Sequence, residues 1–289
     1  MRLRHIIATG LLGAVVACIK SPETALQQLV EARRLSADLL VQFTKAEDAS
    51  NRSVMADTDE ASISFAREAE QSLQAIQTNA NTLKPILSDL GYSTESGLLA
   101  EFNSRFADYR ELNKTILQLA VENTNLKAQR LSFGAAQEAA ESFRQSLDGV
   151  TATDSANDAW RLKALAATAV LNVREIQVMQ APHIAEAGDE TMTRLERQMS
   201  SAEAEARDRL KTIAALASPS SRSKVEAAIA ALDHFIATNA QIVALSRRNT
   251  NVRSLALSLG QKRTLAAACE TSLQALQDAL AKREFTATR

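Results

Sequence analysis

Apolar side chains recur along most of this chain at alternating intervals of three and four. That spacing keeps one face of an α-helix in line with a neighbouring helix. The run Ala66, Ala69, Leu73, Ile76, Ala80, Leu83 and Leu87 is a strict heptad seam. A second seam of the same period, Leu99, Phe102, Phe106, Tyr109, Asn113, Ile116 and Ala120, carries one asparagine. Burying such a stripe yields about 1.5–3 kcal/mol per large side chain. Before them, Ser21-Pro22-Glu23 opens a helix to about Ser53, with Leu26, Leu29, Leu39 and Phe43 inward. Asp57-x-x-Glu60 reads as a capping box, Gly91 as a stop, and Ser93 or Thr94 as the next start. Asn123-Thr124-Asn125 is expected to be a tight turn between antiparallel helices, because asparagine tolerates the left-handed conformation and Asn or Thr caps the helix that follows. The fourth helix then places Leu126, Phe133, Ala136, Ala140, Phe143 and Leu147 on one face and ends at Gly149.

The pattern starts again beyond a short polar link, Thr151 to Ser155. A helix from about Ala156 to Ala187 carries Trp160, Leu165, Ala169, Ile176 and Met179 inward, with Pro182 as a kink. Gly188-Asp189 is a stop and a cap, and the next helix shows Leu195, Met199, Ala202, Ala206, Leu210 and Ile213. Ser218 to Ser221 is a turn, and Ser223-x-x-Glu226 a capping box. Val225, Ala228, Leu232, Phe235, Asn239 and Ile242 repeat the asparagine-bearing seam. Asn249-Thr250-Asn251 repeats the turn, and Val252, Leu255, Leu259, Ala266, Cys269, Leu273, Leu276 and Leu280 form the last inward face. Asn113–Gly134 and Asn239–Gly260 align without a gap at an offset of 126. The chain is therefore expected to be all-α: two tandem antiparallel four-helix bundles, up-down-up-down, related by internal duplication. They would span residues 19–150 and 151–289.

Composition agrees with that class. Glycine (8) and proline (4) are scarce, and aromatics make up 4%. The formal charge is −1 with no basic stripe, which argues against a nucleic-acid partner. The first 18 residues change the picture more. Arg2 and Arg4 precede the apolar run Ile6 to Val16, which is shorter than the ~20 residues a bilayer span needs and fits a secretory signal. Val15-Val16-Ala17-Cys18 resembles a bacterial lipobox, which makes Cys18 the candidate lipidation site. A simple cleaved signal and a short uncleaved anchor are the alternatives. Each places the rest of the chain outside the cytoplasm, facing the periplasm and held at the cell envelope in two of the three cases. No second apolar run is evident. With Cys18 processed, Cys269 has no partner for an intramolecular disulfide.

Residues that would carry chemistry are sparse. His5, His183 and His234 lack metal-ligand spacing, so neither a metal nor a cofactor is expected. No phosphate loop, nucleophile elbow or Glu-x-x-His pair occurs, and the expectation is a protein that is not an enzyme. Asn113 and Asn239 stand out as polar residues in apolar seams. They either fix helix register or line a ligand cavity between helices.

The segment Phe106 to Leu147 resembles the second half of the four-helix-bundle sensory module of methyl-accepting chemotaxis proteins. The features that carry the likeness are Tyr109-Arg110, the Asn123–Asn125 turn, and Ala128, Leu131 and Gly134. The second copy matches through Phe235, Asn249–Asn251, Leu257 and Gly260. The resemblance implies an extracytoplasmic bundle, often a dimer, that binds small molecules or partners. It has no counterpart here to the second membrane span and cytoplasmic signalling domain of those receptors. The function expected is a non-enzymatic, sensor-like module binding a small ligand or an envelope partner. The alternative is a structural lipoprotein that scaffolds the envelope without a small ligand. The partners expected are the membrane through the N-terminal lipid or anchor, a second copy of the chain, and an envelope signalling protein.

Overall fold

The computed structural model describes residues 22–153 and 159–284, so Cys18 and the N-terminal signal lie outside the described residues. The helices are α1 (Pro22–Met55), α2 (Asp59–Asp89), α3 (Ser93–Glu122), α4 (Thr124–Leu131), α5 (Gln137–Thr153), α6 (Ala159–Ala185), α7 (Asp189–Leu216), α8 (Arg222–Arg248), α9 (Thr250–Leu257) and α10 (Arg263–Ala281). A π-helical turn, Ser132–Ala136, joins α4 to α5, and another, Ser258–Lys262, joins α9 to α10. The class is all-α, with no strand among the described residues.

The helices do not group as the repeat suggests. One core collects Leu29, Leu39 and Phe43 of α1, Ile76 and Leu83 of α2, Phe102, Phe106 and Tyr109 of α3, and Cys269, Leu273 and Leu276 of α10. The other collects Ala140, Phe143 and Leu147 of α5 with Val173 and Ile176 of α6, Met199 and Ala206 of α7, and Leu232 and Phe235 of α8. Residues 19–150 and 151–289 therefore do not each close on their own helices. The fourth helix of each repeat fills the core of the other. The helices still alternate in direction: Arg33 near the start of α1 donates to Leu280 O at the end of α10, while Lys262, just before α10, reaches Ser50 near the end of α1.

The exchange is set at Asn123 and Asn249. Both adopt the left-handed conformation, φ 52° and 53°, as the sequence predicts for asparagine. The chain, however, does not fold back there. α3 ends, and α4 leaves to pack on α8; α8 ends, and α9 leaves to pack on α3. An exposed ion pair, Arg248 to Glu122 at 2.8 Å, joins the two helix ends.

The π turns account for a second set of differences. Each inserts an extra residue into its rod and turns the inward face. Phe133, Leu255 and Leu259, expected inward from uninterrupted spacing, are exposed (64%, 37% and 68%). Trp160, near the start of α6, is also exposed, as is Leu26 in α1. At the helix starts, Thr58 rather than Asp57 caps α2, accepting from Ala61 N at 3.1 Å. Ser223 and Glu226 form no box, because α8 already begins at Arg222. α5 runs through Gly149 to Thr153. The stretch Pro219–Ala281 contains a window apolar enough to span a membrane by composition, an apolar run that the sequence reading did not single out. Val225, Leu232, Phe235 and Ile242 from this stretch are buried in the second core.

Candidate functional site

Three groups of polar side chains stand out from the aliphatic cores. The first is the crossover. Thr124 N–H donates to Thr250 Oγ1 and Thr250 N–H to Thr124 Oγ1, both at 3.1 Å. Asn125 N–H donates to Asn251 Oδ1 and Asn251 N–H to Asn125 Oδ1, again both at 3.1 Å. The first N–H groups of a helix have no partner within it. Here each of two helices caps the other, across 126 residues of sequence. Asn125 Nδ2 also donates to Asn249 Oδ1 (2.7 Å) and Ile184 O (2.6 Å), and Asn251 Nδ2 to Asn123 Oδ1 (2.7 Å). The six residues expected to be turns thus form one cluster, five of them buried and Asn251 half-buried. It explains why these positions match best between the copies: they hold the copies together.

The second group is a pair of polar layers around the seam asparagines. In the first core, Ser50 Oγ donates to Asn113 Oδ1 at 2.6 Å. Lys262, 1% exposed, donates to Ser50 Oγ (2.9 Å) and Asn51 Oδ1 (2.8 Å), and Ser258 Oγ donates to Asn51 Oδ1 as well. Burial pushes the Lys262 ammonium down to about 8, partly opposed by the carboxylate of Glu47. Glu47 is itself raised by burial and by Glu270. The Asn113 Nδ2 and Tyr109 hydroxyl atoms are buried without a hydrogen-bond partner. In the second core, Gln180 Nε2 donates to Asn239 Oδ1 at 2.9 Å, and Ser132 Oγ donates to Gln180 Oε1 at 2.7 Å. Ala136 occupies the place on the π turn that Lys262 takes in the first. Neither asparagine is among the residues that line the α2–α3 groove, the α6–α7 groove or the hollow beside the crossover; both sit in packed, hydrogen-bonded layers.

The third group is an open groove of about 700 Å³ between α2 and α3. Its floor is Leu73, Phe106 and Leu117, all buried. Its walls carry Glu70, Gln74 and Gln77 from α2, and Asn103, Arg110, Glu111 and Lys114 from α3. Asn103 Oδ1 is buried without a hydrogen-bond partner. Arg110 and Lys114 stand one turn apart, and neither makes a side-chain bond among the described residues.

The sequence reading missed Lys262, Gln180, Ser50 and Asn51, and it placed no weight on His183. One signal was available for Lys262: the 126-residue offset sets a lysine against Ala136 on the inward face of the duplicated rod. Among the described residues no cluster of three His, Cys, Asp or Glu side chains is arranged to hold a metal ion. Comparison with protein-family models and with curated proteins returned no match.

Proposed function

We propose that this chain is a non-enzymatic, sensor-like binding module of the cell envelope, and that the groove between α2 and α3 receives a small polar ligand. The observation that carries the reading is the make-up of that groove. A buried apolar floor lies beneath two unpaired cations, two carboxylates and an orphan amide acceptor. Pockets of this kind combine an apolar surface with a few orienting polar groups. The sequence around Cys18 supports the placement at the envelope, anchored through a lipid.

The test is a thermal-shift screen of residues 19–289 against organic acids, amino acids, polyamines and metal ions, repeated with Arg110→Gln. A ligand at 100 times its Kd stabilises the fold by about 2.7 kcal/mol. The expected result is a saturable shift that Arg110→Gln abolishes. A flat response across the panel removes the ligand reading.

A second reading rests on a separate observation. Phe133, Val178 and Leu171 are exposed (64%, 73% and 57%) along the α5–α6 side of the second core. Phe133 and Val178 line one shallow groove there, and Leu171 and Val178 another. Exposed apolar surface of this kind supports a scaffold that docks a protein partner.

A further inference from the structure

His183 lies two residues before the end of α6, immediately before the segment that holds the crossover. Its ring is completely buried. Nδ1 is 2.8 Å from Ser246 Oγ on α8, and Nε2 is 2.8 Å from Glu196 Oε1 on α7. The positions of the protons follow from the partners. Ser246 Oγ also lies 2.8 Å from His183 O. A carbonyl only accepts, so the single hydroxyl proton of Ser246 points there, and the serine oxygen must accept from Nδ1. On the other side, Arg247 clasps Glu196 with Nε at 2.6 Å and Nη2 at 3.0 Å. That guanidinium holds the Glu196 carboxyl below the usual carboxylate range, so Glu196 is an ionised acceptor and Nε2 must donate to it. Both ring nitrogens therefore carry protons. A neutral imidazole has one N–H and would set two acceptors face to face at one of these contacts.

The adjoining backbone is what this ring secures. Ile184 O accepts from Asn125 Nδ2 at 2.6 Å, and Glu186 O accepts from Asn249 Nδ2 at 2.7 Å. The charged groups around the ring are Glu196 and Asp189 from α7, Arg247 from α8, and Glu186 just past the end of its own helix. From α4 and the α8–α9 junction come only the neutral Asn125 and Asn249. At the end of α1 in the first core the same job falls to a neutral pair. Ser53 Oγ donates to Ser62 O at 2.9 Å, and Ser62 Oγ donates to Ser53 O at 3.1 Å.

We infer that His183 is a proton-operated latch: its doubly protonated ring ties α6, α7 and α8 together beside the crossover, and losing the proton loosens the second core's hold on the junction while leaving the first core's hold intact. Raising the pH releases the latch, and lowering it closes the latch.

The test uses the full chain labelled with ¹⁵N. The His183 ring signals are assigned by their loss in His183→Gln. At pH 6 both ring nitrogens are expected to show protonated shifts. Amide exchange at residues 184–187 and 249–251, corrected for its intrinsic base dependence, is expected to rise about tenfold as the pH is raised to 8.5. Exchange at residues 53–62 should show no such rise. Glu196→Gln removes the ionised acceptor and should move the rise to lower pH. A single protonated ring nitrogen at pH 6 overturns the inference, and so does corrected exchange that stays flat at both places. Ligand binding in the α2–α3 groove does not enter either outcome.

Discussion

Lys262 and Ala136 occupy the same place on two π turns, and the cores around them have been filled differently. In the first core a lysine reaches into the layer of Asn113, and two small partners, Ser50 and Asn51, receive its ammonium. In the second core there is no charge at that place. Gln180 instead spans the layer to Asn239, with Ser132 behind it. The asparagine performs the same act in both, accepting one side-chain hydrogen bond. The difference teaches that the duplicated frame fixes where a polar layer falls, while the partners supply the chemistry. A charge in one layer and none in the other makes the first layer, and not its counterpart, respond to high pH.

The largest effect is expected at Lys262. Its folded-state value, about 8, lies below the 10.5 of a free lysine. Between those two values the unfolded chain binds the proton and the folded chain does not, so stability rises with pH across that window. The full rise amounts to about 3 kcal/mol, at 1.36 kcal/mol per pH unit. Lys262→Met makes the first layer resemble the second. It strands nothing, because Ser50 still donates to Asn113 and Asn51 still accepts from Ser258. Denaturant titrations at pH 7 should show the variant more stable by about 1–3 kcal/mol, since uncharged replacements of buried ions are often stabilising. The rise from pH 8 to 10.5 should disappear. A wild-type curve flat over that range would mean that water reaches the ammonium.

A smaller difference separates the two asparagines. Asn239→Leu leaves the buried Gln180 Nε2 without its acceptor and should cost about 1–3 kcal/mol. Asn113→Leu removes an amide whose Nδ2 has no partner, and Ser50 keeps its bond from Lys262. That change should cost less by about 1–2 kcal/mol, by the same reasoning about stranded groups. Parallel urea titrations of the two variants decide it. Equal losses would mean that the layers are energetically alike despite their different partners.

These residues also show what was legible in the sequence. The seams of α2, α3, α7 and α8 were readable because uninterrupted helical spacing translates directly into burial: every predicted inward residue of those four helices is buried. Asn123 and Asn249 were readable as left-handed because asparagine pays little for that conformation. Where the chain went next was not readable. Folding back and crossing over use the same local residues, and the bonds that decide between them lie 126 positions away. Lys262 and His183 were invisible for a related reason. A lysine at the end of a π turn reads as a surface residue, and a histidine without a metal-ligand partner reads as isolated, until other helices supply Ser50 and Asn51 or Ser246 and Glu196.

The smallest expected effect tests the π turns, which left no mark in the apolar spacing. If the rods were uninterrupted α-helices, Phe133 and Leu259 would face their cores at corresponding positions of the duplicated frame. Polar replacement would then empty a core site, and truncating a buried phenylalanine costs about 3–5 kcal/mol. With the extra residue of each π turn, both side chains point to solvent beside Gly134 and Gly260, where an added Cβ would meet nothing within 4 Å. Phe133→Ser and Leu259→Ser should therefore each change stability by less than about 0.5 kcal/mol, the range of ordinary surface substitutions. The two should also agree, although the cores beneath them differ, because the turn and not the core sets their direction. A loss above 2 kcal/mol in one variant alone would place that rod in uninterrupted α-helical register, and the two π turns would no longer be equivalent.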